Sequence, residues 1–370
     1  MDLRILARFP LLALGMLSLL GGVLGGLARL AFDVSSLGAA QAGVHGALMI
    51  AAFFGTVISL ERAVALARGW PYLAPAFAGV GGLSLLAGFP AVVAQWLFVA
   101  AALTLIAGSV RVMRRQRVLF TIVLALGALC WLVGNVAWLV VGSVQAAVPW
   151  WLAFLVLTIA GERLELTRFL PSRPAAPPLF VVAAAIVLIG ALASFWREQA
   201  GLAIFAAGLL ALSAWLLRYD LARHNARRQG LTRFIALCLL SGYVWLAIGG
   251  VLGIGGHFVP GAPLRDAALH AVALGFVFAM VFGHAPIIFP AVAKVKIPYH
   301  PMFYLPLAVL HASLAVRVIG TWTGGFALRQ HGALVNALAL LLFIATMVAS
   351  MLRGRRRDVV SRPASRNQTH

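Results

Sequence analysis

Val118-Leu-Phe-Thr-Ile-Val-Leu-Ala-Leu-Gly-Ala-Leu-Cys130-Trp-Leu-Val-Gly-Asn-Val-Ala-Trp-Leu-Val-Val-Gly142 carries no charged residue and follows directly on Arg111, Arg114, Arg115 and Arg117. A helix of that length rises more than the roughly 30 Å of a bilayer's hydrocarbon core. A lone strand would leave its backbone N–H and C=O groups unpaired in lipid, so the run reads as a transmembrane helix entered from a basic rim. Outward from this segment the pattern repeats along the whole chain. Apolar runs over 10–32, 44–66, 71–89, 92–112, 148–168, 177–196, 200–218, 233–255, 266–288, 301–320 and 331–352 bring the expected number of spans to twelve.

Of the 370 residues, 63% are hydrophobic and 10% charged, far from the roughly one-quarter charged of soluble domains. The expected fold is therefore all-α, a single twelve-helix transmembrane bundle over 1–352 with no separate soluble domain. Residues 353–370 read as a basic, polar, disordered cytoplasmic tail suited to an anionic leaflet. The first apolar run is too long, and too poor in a small-residue cleavage site, for a removed signal peptide, and it reads as the first span.

The net charge of +20 does not indicate nucleic acid, because the basic residues sit in short clusters between spans. With twelve spans, 24 of the 29 Lys and Arg residues fall on one side. Only Arg29, Arg197, Arg265, Arg317 and Arg329 fall on the other. The positive-inside rule then places both termini in the cytoplasm of a bacterial-type inner membrane. Cys130 and Cys238 lie singly in different spans, without disulfide or covalent-haem spacing.

Gly21, Gly22, Gly25 and Gly26 in the first span, and Gly249, Gly250 and Gly253 in the ninth, have the small-xxx-small spacing of close helix packing. An internal echo links the second span, which ends in Gly55-Thr-Val-Ile-Ser-Leu-Glu61-Arg62, to the sixth, which ends in Leu157-Thr-Ile-Ala-Gly-Glu162-Arg163. Its interval of four spans suggests four-helix repeats. Adjacent residues on a helix do not face each other, so the Glu and Arg of each pair are expected to find partners on other helices.

Ionisable residues inside spans are functional candidates by default. His45, His270 and His331 share one outer depth, whereas His284 and His311 lie deeper. His270 and His284 are 14 residues apart, about 21 Å along an α-helix and within roughly 40° of one face. A bis-histidine haem needs one imidazole from each of two facing helices at matched depth. His45 opposite His270 meets that condition, with His331 as the alternative ligand. Arg317, near the outer end of span eleven, is placed to meet haem propionates as a bidentate donor. Met280, one turn before His284, adds a thioether to an imidazole, and with His311 these form a second, inner site for haem iron or copper. The plainer readings are interfacial polar residues for the outer histidines and interhelical hydrogen bonds for the inner ones.

Span ten reads His270-Ala271-Val-Ala-Leu-Gly275-Phe-Val-Phe-Ala-Met280. This resembles the His-Ala-x-x-x-Gly-x-x-x-x-Met signature of NnrS-like membrane proteins. Leu-Ala-Val-Arg317-Val resembles that family's arginine-containing segment, and Val44-His45-Gly46-Ala47-Leu48-Met49 stands where the family carries His-x-His-Glu-Met, with one histidine and the glutamate missing here. The resemblance implies haem, copper and a link to nitric oxide, on a twelve-helix plan like that of the main subunit of haem-copper oxidases. Those oxidases hold low-spin haem with histidines on spans two and ten. Their copper ligands on spans six and seven have no counterpart, since spans six and seven carry no histidine here.

The resulting expectation is a haem b protein, with copper as a second candidate cofactor, working in electron transfer or nitric oxide handling with membrane lipids around it and a quinol or cytochrome as donor. A secondary transporter, and a factor that delivers haem or copper to respiratory enzymes, are the rivals. Turnover of a substrate is not legible.

Overall fold

The structure, a computed structural model, describes residues 5–171 and 173–360, and among these every regular element is a helix, with no strand. The principal helices are α1 (Arg8–Ala28), α2 (Ala47–Leu66), α3 (Leu73–Leu86), α4 (Ala91–Arg115), α5 (Leu119–Val141) and α6 (Val144–Leu166). They continue as α7 (Ala176–Ala193), α8 (Glu198–Tyr219), α9 (Gly230–Leu252), α10 (Arg265–Ala293), α11 (Tyr304–Trp322) and α12 (Phe326–Val360). All twelve expected segments are helical, and eleven are long and apolar enough to cross a membrane. The exception is α3, which has 14 residues because a 3-10 turn, Trp70–Tyr72, takes up the start of its apolar run. The chain is a multi-pass, all-α membrane protein.

Helix ends follow local chemistry. Pro90 precedes α4, and Gly142 closes α5 in the left-handed conformation that glycine adopts without strain. α12 continues as helix through Val360, so residues 353–360 of the expected tail are helical. Ser350 donates to the Pro298 carbonyl, and Gly354 packs directly on Lys296, so this end of the helix is docked rather than free. Residues 361–370 lie outside the described residues.

α6 is buried on every side, with Trp150 to Leu157 all in the core, as a central helix must be. Around it, hairpins close on small residues. A side chain at Gly190 or Gly201 would collide with the facing backbone of the α7–α8 pair, and one at Gly320 or Gly332 with that of α11–α12.

Helices α2, α6 and α10, four spans apart, converge at the centre, with α6 in contact with the other two. Each is irregular near its first turns. α2 opens with a π-helical stretch over Ala47–Phe54, α10 carries one over Ala271–Phe278, and α6 contains Pro149. π-helical segments widen the turn and collect at functional sites.

Candidate functional site

His45 sits at the start of α2 and His270 at the first turns of α10, each at the lip of a π-helical stretch. Their ring centroids are 6.3 Å apart and their planes differ by 21°. His45 Nδ1 lies 2.6 Å from the Gly22 carbonyl of α1, and His270 Nδ1 lies 2.8 Å from the carbonyl of Asp266, one turn earlier. A backbone carbonyl can only accept, so both Nδ1 atoms carry the proton. In the neutral rings that leaves Nε2 as a bare lone pair on each imidazole, the tautomer a metal ligand needs. The two rings line one cavity.

Glycine makes this arrangement possible. A Cβ at Gly26 would stand 2.8 Å from the His45 ring and one at Gly22 would meet Met49, so the glycine stripe of α1 seats the imidazole as well as packing the helix. The cavity, of about 150 Å³, is otherwise mostly apolar, with Met49, Ile50, Leu152, Leu155, Leu274 and Leu340 among its walls and Arg317 and Asn336 as its other polar residues. Phe54 and Phe278 also line it, packed ring against ring at 5.2 Å.

Asp266 is the residue the sequence reading missed. Its carboxylate accepts from Arg317 Nε at 2.8 Å and Nη2 at 2.7 Å, and one oxygen lies 3.3 Å from His270 Nδ1. Arg317 lines the cavity as expected, but its fork is engaged by this carboxylate. A signal existed, since Asp266 is the only acidic residue between Asp220 and Asp358 and stands four before His270. His331 is a correction. It is exposed, bonded through Nδ1 to Ala327 of its own helix, and absent from the cavity lining, because the face of α12 that closes the cavity is that of Ala333, Asn336, Ala337 and Leu340.

The inner site expected of Met280, His284 and His311 is not assembled. His284 is held by the Met280 carbonyl at Nδ1, 2.8 Å, and by Arg163 Nη1 at Nε2, 3.1 Å. His311 Nε2 instead lies 2.8 Å from Ser241 Oγ, and its ring faces Trp245 on α9. The Met280 thioether methyl points at Gly242, not at either ring. The α-helical phase that would put His270 and His284 on one face does not carry through the intervening π-helical stretch, so His270 looks at α2 while His284 looks at α6.

What occupies the inner region is a charge network. Arg163 Nε donates to Asp220 at 3.1 Å, with both side chains buried, and Asp220 also accepts from the Ala222 N–H at 2.6 Å. Arg62 of α2 pairs with Glu162 of α6. The two halves of the Glu-Arg echo thus bond to each other's helices and to α10. Among the described residues, no three His, Cys, Asp or Glu side chains gather as they would around an ion they alone coordinate.

No curated protein matches the chain. A family model, described as a domain of unknown function, matches residues 8–352, and the chain therefore belongs to that family, DUF8744.

Proposed function

We propose that the protein binds one haem b between His45 and His270, in the manner of NnrS-like proteins and the haem-copper oxidases they resemble, and serves electron transfer or nitric oxide handling. One observation carries the reading: two imidazoles with Nδ1 tied to carbonyls and Nε2 bare, on helices of matched depth, at a ring separation of 6.3 Å. A metal–imidazole bond of about 2 Å puts a metal roughly 3 Å from each ring centre, so rings on opposite sides of one metal stand roughly 6 Å apart. A porphyrin-held iron asks the protein for two ligands, which is the number this cavity offers.

When bound, the haem supplies one-electron chemistry at its iron. The chain's own residues do the rest. The Gly22 and Asp266 carbonyls fix the tautomer and orientation of the two rings, and the Asp266 carboxylate places a negative charge 3.3 Å from His270 Nδ1. Leu152, Leu155, Leu274 and Phe278 keep water from the ligands. Arg317, paired through both nitrogens with Asp266, is fixed at the outer rim of the cavity.

A second reading draws on the cavity's size. About 150 Å³ is below the roughly 300–1,000 Å³ of ordinary ligand pockets. Haem entry requires the flexible Met49 and its leucine neighbours to move, whereas a copper ion between the two imidazoles does not. Copper held by only two protein ligands is easily passed on, which fits a delivery factor.

The test is an absorption spectrum and pyridine haemochrome assay on protein purified from haem-replete cells, with copper analysis on the same sample. A Soret band that survives washing, at about one haem per chain, supports the first reading. Copper without haem supports the second, and neither metal nor haem ends both.

A further inference from the structure

The connections on the arginine-rich side hold a second feature, remote from the histidine cavity. Arg173, just before α7, Arg218 at the end of α8, and Arg223, His224 and Arg227 in the α8–α9 connection line a single pocket of about 190 Å³. Three stretches of chain converge there, and among the described residues every side chain that lines it is basic.

Like charges gathered in this way repel, and the carboxylate that could offset them is already committed. Asp220 is the only acidic residue between Glu198 and Asp266. It is 1% exposed and turned inward to Arg163 and the Ala222 N–H. Glu165, at the end of α6, pairs with Arg168. The cluster is nevertheless ordered. The Arg173 and Arg218 guanidinium groups lie 5.9 Å and 5.4 Å from the Tyr219 ring centre, and Arg223 reaches the Arg218 carbonyl at 3.5 Å. Tyr219 is an aromatic residue at the end of a membrane-spanning helix, the level at which lipid headgroups lie.

We propose that Arg173, Arg218, Arg223, His224 and Arg227 form a binding site for a phosphate group, presented by an anionic phospholipid of the adjoining leaflet. Several guanidinium groups around one cavity suit the oxygens of a phosphodiester, and basic pockets between spans on this side of a membrane take such headgroups. Wedged between α7, α8 and α9, the lipid would tie the two connections together.

The experiment follows thermal unfolding of the purified full chain in neutral detergent with added phosphatidylglycerol, diphosphatidylglycerol, phosphatidylcholine or inorganic phosphate. Native mass spectrometry counts the retained lipids. The variants are Arg173→Gln/Arg218→Gln/Arg227→Gln and, as a control of equal charge, Arg111→Gln/Arg114→Gln/Arg115→Gln at a separate basic patch. The expected result is an upward midpoint shift with the anionic lipids, half-saturating at a concentration at least ten-fold lower in wild type and control than in the first variant. A matching shift with inorganic phosphate alone would keep the site and assign it to free phosphate. No preference for anionic over zwitterionic lipid, or an equal loss in both triple variants, would overturn the proposal, because either result reduces the cluster to diffuse surface charge.

Discussion

His45 and His270 face each other at 6.3 Å, and eight residues further along each helix Phe53 and Phe278 face each other at 6.0 Å, with planes only 9° apart. The two helices therefore run in the same direction and keep register over the eight residues between the two ring pairs. They keep it because both are π-helical across the same interval, Ala47–Phe54 and Ala271–Phe278. Between the histidine pair and the phenylalanine pair lies the apolar cavity.

Both histidines are needed if the cavity holds haem. His45→Ala or His270→Ala should each abolish the low-spin spectrum, leaving either apoprotein or a high-spin form with one axial ligand. Absorption spectra and haem per chain measure this. Unchanged spectra in both variants would end the bis-histidine assignment.

Asp266 should matter for stability as well as for the ligand. Asp266→Ala leaves the buried Arg317 guanidinium without its carboxylate, at a cost of roughly 3 kcal/mol, the low end for a broken buried pair because Asp266 is partly exposed. Asp266→Asn keeps an acceptor for Arg317 and should cost less. It also removes the negative charge beside His270 Nδ1, so any redox potential at the site should rise, as measured by spectroelectrochemistry. A potential equal to wild type in a well-folded Asp266→Asn protein would show that the carboxylate does not influence the ring.

The fold was legible because lipid leaves few options, and an apolar run such as Val118–Gly142 can only be a spanning helix. The matched depth of His45 and His270 was legible for the same reason, since depth follows from position within a span. That the arginines of the Glu-Arg pairs find partners on other helices was legible from helix geometry, as Arg62 with Glu162 and Arg163 with Asp220 show. The π-helical stretches were not, because nothing in Ala271–Phe278 distinguishes a wide turn from an ordinary one, and that error put His284 on the wrong face. Nor was the positioning role of Gly22 and Gly26, which depends on which helix lies against them.

The two inner ion pairs should differ sharply in weight. Arg163 and Asp220 are at most 5% exposed at the side chain, whereas Arg62 and Glu162 are 27% and 28% exposed. Asp220→Ala should therefore destabilise by about 3–5 kcal/mol and lower expression, while Glu162→Gln should cost about 1 kcal/mol or less. Denaturant or thermal unfolding in one detergent compares them, and equal losses would mean that burial does not govern these pairs.

Orientation follows from the loop charges. A C-terminal alkaline phosphatase fusion should be inactive, and a fusion placed after Arg197, between α7 and α8, should be active. The reverse pattern would show that the topology is inverted or that a helix before Arg197, with the short α3 the first suspect, does not cross, and activity of both would place a non-crossing helix among α8 to α12.

His284 and His311 separate a cofactor site from structural hydrogen bonding. Both ring nitrogens of His284 are engaged, Nδ1 by the Met280 carbonyl and Nε2 by Arg163, so neither is free for a metal. His311 Nε2 meets Ser241, whose hydroxyl donates to the Leu237 carbonyl, so Nε2 carries the proton and the buried Nδ1 is left as an unpaired acceptor. His284→Ala should leave haem and copper content at the wild-type level and reduce stability by about 1 kcal/mol, the scale of interhelical hydrogen bonds in membranes. His311→Ala should lose less, because it removes an unpaired buried acceptor along with the bond to Ser241. Pyridine haemochrome and elemental analysis on both variants, with thermal unfolding alongside, make the comparison. If His284→Ala lost haem or copper while His45→Ala kept a second population, Arg163 would have to yield its place to a cofactor, and the inner network would be a metal site after all.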